Sequence, residues 1–564
     1  MTFYYVDNAG DIVVEGAGEG TFDRIFASAS YVLGMGVYIE ALTTTNAAST
    51  SPINLTGNEL DNFIGGNNGA NVLTGGGGAD TMVGLVGDDW YYVDSADDRV
   101  LEGRAEGAYD RIFTSASYTM EAGVWVEALT TTDATSGAAI NLTGNEIANF
   151  IGGNTGANLL DGRGGADTLV GLGGDDWYYV DHVNDILVEK ADEGTFDRIF
   201  TTVTYTLAPG VHVEALTIAD PAGTTAINLT GNEIDNFIGG NAGANVLDGK
   251  AGADTMVGLG GNDRYLVDNA GDLVIEGAGE GALDEIVTTV SYKLAAGSQV
   301  EVLRTTINNG PLNLTGNEFA NRITGSFAAN VLDGGGGADT LVGLRGDDWY
   351  YVDDANDIVV EAFGSVEGAF DRVFASASYA LASDVYVEAL TIANAAGTES
   401  IDLTGNEFHN FTGGNEGSNV LIGGAGDDTL VGLGGNDSIL GGEGGDTLFG
   451  GLGNDTLTGG TGVDRFAFNT AFGVGNIDTI TDFVFADDTI LLDDAVFTGL
   501  ALGDLPAGAF AIGSTATEAD DRIIYNSATG ALLFDADGLG GVAAVQFASL
   551  GTGLALTASD FLII

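Results

Sequence analysis

Two nested repeats dominate this amino-acid sequence, and the longer one limits the architecture first. The aspartates of FDRIF-like segments stand at Asp23, Asp110, Asp197, Asp284 and Asp371, and the glutamates of VEAL-like segments at Glu40, Glu127, Glu214, Glu301 and Glu388, every interval being 87 residues. Tyrosines of YYVD-like segments at Tyr4, Tyr91, Tyr178, Tyr265 and Tyr350, and LTGNE, which begins at Leu55, Leu142, Leu229, Leu314 and Leu403, follow the same beat except around the fourth copy, where the spacing shifts by two residues. A chain built this way folds as stacked copies of one supersecondary unit, not as one closed globule. The boundaries expected from these markers are five modules at 1–92, 93–179, 180–266, 267–351 and 352–467, then a region 468–564 without the repeat.

Inside each module runs a second period of nine residues. In the first, GNELDNFIG, GNNGANVLT, GGGGADTMV and GLVGDDWYY follow one another from Gly57 to Tyr92; the fifth module has seven such units, ending at Ala467. Glycine opens each unit and Asn or Asp stands sixth. Glycines permit left-handed backbone and close approach, so the first half of a unit is expected to be a tight loop. The last residues alternate outward and inward as a minimal strand, which places Met82, Leu169, Met256, Leu341, Leu430 and Leu448 inside. Such a strand is too short to stand alone and must stack on the next coil. Stacking gathers the sixth-position carboxylates, whose repulsion a hard, oxygen-seeking cation relieves.

In tandem these units resemble the RTX nonapeptide G-G-x-G-x-D-x-U-x, the hemolysin-type calcium-binding repeat. The resemblance implies an all-β fold, a right-handed parallel β-roll or β-solenoid in which two units make one turn. It also implies calcium ions held between a loop and the loop one turn on, by sixth-position Asp side chains and by carbonyls of the second and fourth residues. Carried onto this sequence, the ligands are Asp428, Asp437, Asp446, Asp455 and Asp464 with Gly424, Gly426, Leu433, Gly435, Gly442, Gly444, Gly451, Gly453, Gly460 and Gly462. Asp428 is then paired with Asp446, Asp437 with Asp455, and Asp446 with Asp464, and these three are expected to be the only Asp–Asp pairs. In the earlier modules Asn62 and Asn71 face Asp80 and Asp89, Asn149 and Asn158 face Asp167 and Asp176, and the same holds for Asp254, Asp263, Asp339 and Asp348. An amide oxygen ligates calcium without bringing charge, so these are either weaker sites or metal-free turns.

The fifty or so residues between nonapeptide blocks, such as TFDRIFASASYVL from Thr21, show strand-like patterning and no helical period. They are expected to be irregular coils of the same solenoid, since each is too short to close a core of its own. At about 18 residues per turn the repeats would make roughly 26 turns and a rod near 120 Å long, with equivalent surfaces recurring module by module on it. The Asp-Arg pair of FDRIF points to opposite faces of a strand, and an ion pair at a buried edge is expected for one member. The region 468–564 resembles the C-terminal part of serralysin-type RTX proteins. That implies a β-rich cap and an uncleaved type I secretion signal at the ending Asp560-Phe561-Leu562-Ile563-Ile564.

Composition narrows the function. With 82 Asp and Glu against 16 Lys and Arg, the formal charge of −66 excludes nucleic acid and anionic lipid as partners. No cysteine is present, so thiolate metal sites and disulfides are excluded. No apolar run approaches the ~20 residues of a transmembrane segment, and MTFYYVDNAGD has neither the basic start nor the apolar stretch of a cleaved leader. Met1 falls in mid-module, which suggests repeats upstream of it. The three histidines, His182, His212 and His409, belong to no H-E-x-x-H, and no G-x-S-x-G occurs. Trp90, Trp177 and Trp349 take the seventh place of their units and should face outward, either to stack on sugars or to pack under the neighbouring spacer. These readings describe a bacterial protein, secreted or at the cell surface, that binds calcium, passes through a type I secretion apparatus and has a structural or adhesive role as surface layer, matrix component or adhesin. Its partners would be cell-surface polysaccharide or other copies of itself. The alternative is the non-catalytic RTX part of a larger secreted hydrolase or polysaccharide epimerase.

Overall fold

The computed structural model describes residues 1–361 and 370–564. Two compact units, Met1–Asp284 and Glu285–Ile564, divide the chain. In each, short strands pair in parallel with the strand one complete turn on, while the strand between them belongs to the facing sheet.

Met1–Asp284 contains one sheet of six and two of nine parallel strands. The six-stranded sheet runs Phe3–Val6, Arg24–Ala27, Ala41–Thr44, Phe63–Gly65, Thr81–Val83 and Arg99–Leu101. Its register stacks Ile25 on Leu42, Ile64, Met82 and Val100 as one inward column, all buried. The facing column takes Leu55, Leu73, Tyr91, Ile112, Leu129, Ile151, Leu169 and Leu187. Period-two strands with one apolar residue inside give this layering directly: Met82, Leu169, Met256, Leu341, Leu430 and Leu448 all lie in the core. Truncating one of them to alanine costs about 2–5 kcal/mol.

Spacer strands join the same sheets as nonapeptide strands. Arg24–Ala27 and Ala41–Thr44 pair in parallel with each other, and Ala41–Thr44 pairs with Phe63–Gly65 of the first nonapeptide unit. The spacers are therefore coils of the β-solenoid with longer loops, as expected. One module contributes nine strands, Arg99–Leu101 to Trp177–Val180 in the second. Nine is odd, so equivalent strands of consecutive modules fall in opposite sheets: Trp90–Val93 belongs to one nine-stranded sheet and Trp177–Val180 to the one facing it. The expectation that equivalent surfaces recur module by module is corrected here, because consecutive copies face opposite ways.

In Glu285–Ile564, sheets of thirteen and ten strands contain the long nonapeptide run and continue into the C-terminal region. There Ile523–Asn526, Ala531–Phe534 and Val545–Ser549 pair antiparallel, and the rings of Phe497, Phe534 and Phe547 form the local core. The terminal strand Phe561–Ile563 lies parallel to Thr489–Leu492.

Candidate metal centre

The loops of the fifth module are shaped by left-handed backbone. Gly424, Gly426, Leu433, Gly435, Gly442, Gly444, Gly451, Gly453, Gly460 and Gly462, the second and fourth residues of successive units, all have φ between 77° and 143°. Only Leu433 has a side chain, and it is exposed. Carbonyls of one loop are directed at the next: a Cβ on Gly442 would collide with Gly424 O, one on Gly444 with Gly426 O, one on Gly451 with Leu433 O and one on Gly453 with Gly435 O. Glycine at these places is thus required twice, by φ and by the oxygen overhead.

Through the same loops runs the aspartate ladder. The Asp428 N–H donates to Asp446 Oδ1 at 2.8 Å, Asp437 N–H to Asp455 Oδ1 at 2.8 Å and Asp446 N–H to Asp464 Oδ1 at 2.9 Å. The structure thus brings together each pair expected from the nine-residue count. The second oxygen, Oδ2 of Asp428, Asp437, Asp446 and Asp455, is buried with no hydrogen-bond partner. A carboxylate oxygen accepts but cannot donate, so several such orphans beside backbone carbonyls form an all-acceptor environment that suits a hard cation. Without one, burial pushes the carboxyls of Asp428 and Asp437 up to about 7 and that of Asp446 to about 6.

Asparagine at the sixth position resolves the same problem internally. Asn62 Oδ1 accepts from Asn58 N–H at 2.9 Å, and its Nδ2 donates to Ile39 O one turn back at 2.7 Å. Asn71 and Asn149 repeat the arrangement, donating to Ile53 O and Val126 O, each at 2.9 Å. Their loops lack the double left-handed turn: neither Asn58 and Leu60 nor Asn67 and Gly69 has positive φ. In these units the amide makes through Nδ2 a bond that a carboxylate could not donate.

The aspartates facing them are another matter. Asp80, Asp89, Asp167, Asp176, Asp254, Asp263, Asp339 and Asp348 are all buried, each with an unpartnered Oδ2. Each is also followed one turn later by a spacer aspartate. Asp80 N–H donates to Asp98 Oδ1 at 2.9 Å, Asp89 N–H to Asp110 Oδ1 at 2.7 Å, Asp167 N–H to Asp185 Oδ1 at 2.9 Å and Asp176 N–H to Asp197 Oδ1 at 2.7 Å. At the end of the long run, Asp455 and Asp464 meet Asp478 and Asp488 in the same way, at 3.1 and 3.0 Å. The expectation of only three Asp–Asp pairs is therefore corrected. The missed rungs lie 18 to 24 residues on, because spacer loops differ in length. Their one sequence signal is Asp immediately before a strand, as in DRVL from Asp98 and DRIF from Asp110.

The ion pair expected for one member of the Asp-Arg of FDRIF is present in the first copy, where buried Asp23 pairs with the terminal amine of Met1 at 3.4 Å, and is not made in the second. Asp110 turns inward with Oδ2 unpartnered, and Arg111 turns outward over the Phe113 ring, 4.5 Å from its centroid. Trp90, Trp177 and Trp349 face outward as expected, about half exposed, and also lean on the spacer rings Phe113, Phe200 and Phe374, each at 5.4 Å. His409 is an exposed loop residue whose Nδ1 accepts from Asp427 N–H at 2.6 Å.

Comparison with known families supports the chemistry. The family model of the RTX calcium-binding nonapeptide repeat (4 copies) matches residues 56–100, 143–187, 230–265, 315–359, 413–448 and 440–469. No curated protein matches the chain. Repeats of this family bind calcium, and solenoids built from them are a structural, non-catalytic domain type. Among the described residues no helix is long and apolar enough to cross a membrane. With matches on the nonapeptide block of every module and the predicted parallel coils in place, the chain carries RTX calcium-binding nonapeptide repeats folded as coils of a parallel β-solenoid.

Proposed function

We propose that this protein is a structural or adhesive component of a bacterial exterior, a surface layer, matrix protein or adhesin, exported by a type I secretion apparatus and folded by calcium once outside. The observation that carries the reading is the ladder of donor-free aspartate oxygens, of which those of Asp428, Asp437 and Asp446 crowd the first-position glycine of their units together with the carbonyl oxygens of Gly441, Gly450 and Gly459. In that reading Asp428, Asp437, Asp446, Asp455 and Asp464 hold the ions together with the carbonyls of the second and fourth residues. Unfilled, these carboxylates repel; in calcium, binding free energy becomes folding free energy. Extracellular calcium modules work at about 10⁻⁴ to 10⁻³ M, so the cation would be scarce during synthesis and abundant after export. The half-exposed Trp90, Trp177 and Trp349 offer rings suited to cell-surface polysaccharide or to another copy of the chain.

Far-ultraviolet circular dichroism of the full chain in chelator, then in millimolar calcium, tests the reading. The β signal is expected to grow on calcium addition; an identical spectrum in chelator overturns it. Export is tested separately by deleting the residues after Arg522 in a secreting host, where the truncated protein is expected to stay in the cytoplasm. Continued secretion of that truncation removes the type I signal from the proposal.

A further inference from the structure

We infer that the spacers build a second kind of cation site, in which Asp89, Glu102 and Asp110, and in the next module Asp176, Glu189 and Asp197, hold one calcium-like hard divalent ion where each nonapeptide block passes into its spacer coil. Only the first member of each set belongs to a nonapeptide. The other two come from segments with no calcium motif.

Each carboxylate divides its oxygens between the fold and the cluster. Asp89 Oδ1 accepts from Asn71 N–H at 2.6 Å, Asp110 Oδ1 from Asp89 N–H at 2.7 Å, and Glu102 Oε2 from the Tyr91 hydroxyl. The oxygens left over, Asp89 Oδ2, Glu102 Oε1 and Asp110 Oδ2, are buried and have no hydrogen-bond partner. One oxygen from each residue lies within 4.8 Å of the others. Calcium–oxygen bonds of 2.3–2.6 Å set opposite ligands of one ion about 5 Å apart, so a single ion reaches all three.

Two glycines keep the space clear. A Cβ on Gly84 would strike both Asp89 Oδ2 and the Tyr91 hydroxyl, and one on Gly107 would strike both Asp110 Oδ2 and the Gly87 carbonyl oxygen. That carbonyl adds a neutral oxygen at the edge of the cluster. In the next module Asp176 Oδ2 and Glu189 Oε1 are orphaned in the same way, Tyr178 donates to Glu189 Oε2, and Gly171 and Gly194 take the glycine places. The nearest basic side chain in sequence, Arg111, is turned away over Phe113.

The chain carries its own comparisons. At the first module Tyr4 donates to Glu15 and Asp23 is buried, but Thr2 stands where the nonapeptide aspartate belongs. At the end of the long run Phe466 replaces the tyrosine, and Ile477 stands where the glutamate would be. The tyrosine and the glutamate therefore occur together or not at all, as expected if the phenol's task is to aim the glutamate. Protons are the competing occupants: burial pushes Asp89 to about 6, Asp110 to about 7 and Glu102 to about 9.

Equilibrium dialysis against calcium at pH 7.4 separates the two. The double variant Glu102→Gln/Glu189→Gln, a near-isostere of the protonated acids, is expected to bind two fewer ions per chain while keeping the calcium-induced circular-dichroism change. Asp437→Asn, altering the fifth module alone, reports on the aspartate ladder independently, so failure of that reading is distinguishable from failure of this one. A folded double variant with the unaltered ion count overturns the inference. Should the double variant not fold, anomalous diffraction from calcium-loaded crystals of the unaltered chain decides: a peak among Asp89, Glu102 and Asp110 supports it, and a blank map there overturns it.

Discussion

Within the fifth module, the two units from Gly405 to Ile422 and the five from Gly423 to Ala467 present the same strands in the same register but settle their sixth position in opposite ways. Asn410 and Asn419 receive a backbone N–H on Oδ1, at 2.9 Å each, and donate Nδ2 to Val387 O at 2.8 Å and Ile401 O at 2.9 Å. Asp428 and Asp437 likewise accept through Oδ1, from Asn410 and Asn419 N–H at 2.7 and 2.8 Å, but each presents a buried Oδ2 to no donor at all. Exchanging one amino group for one oxygen converts a loop that satisfies itself into one that needs a cation. The left-handed second and fourth residues appear where that need exists, which ties the backbone shape to the side-chain chemistry.

The largest expected effect is of pH on the chelated protein. For Asp428 and Asp437 the folded value is about 7 against an ordinary 3.8, because burial disfavours the charged form. An acid whose folded pKa is raised binds more protons folded than unfolded between those values. Stability of the calcium-free run should therefore be highest near pH 4, fall as pH rises toward 7 and level off above it. Calcium competes with those protons, so the calcium-loaded run should weaken as pH falls below 7. Thermal melts from pH 4 to 8 with chelator and with calcium check both signs; parallel pH profiles would mean that the two regions do not differ as described.

Next is Gly442→Ala, which demands φ of 126° from alanine and drives Cβ into Gly424 O. A loss of about 3 kcal/mol in calcium is expected from denaturant melts. Asn406→Ala, the corresponding second residue in the Asn-bearing region, loses only side-chain bonds, those donated to Ala382 O and Val385 O at 2.8 and 2.7 Å and the one accepted from Phe408 N–H at 3.2 Å, about 1–2 kcal/mol. Asn410→Asp sharpens the contrast further. It replaces the donor to Val387 O with an acceptor, so the variant should lose about 2 kcal/mol in chelator and recover part of it in calcium. An equal loss in both conditions would show that the loop's backbone, not the missing charge, keeps that turn free of metal. The smallest expected effect is a rise of about tenfold in the calcium midpoint for Asp446→Asn, equivalent to about 1.4 kcal/mol, with a lesser rise for Asp80→Asn. Asp446 is the more exposed to loss because it serves two ladder contacts inside the long run, to Asp428 and to Asp464.

The sequence by itself determined the unit, the period and the chemistry. A nine-residue count places Met82 and Leu448 inside and Asp446 opposite Asp428, because tandem units of equal length keep register without help from the rest of the fold. Only the tertiary structure decided what the spacers contribute. Their loops set steps of 21 residues from Asp89 to Asp110 and 23 from Asp348 to Asp371, so no fixed count finds the partner. Parallel strand pairing does find it: Arg111 aligns with Trp90, which puts Asp110 directly after Asp89 on the ladder. Pairing also decided which way the tryptophans face, since an odd number of strands per module turns each copy to the opposite sheet. A repeat in sequence fixes what each coil is; the hydrogen-bonded stack, indifferent to loop length, fixes which side chains meet.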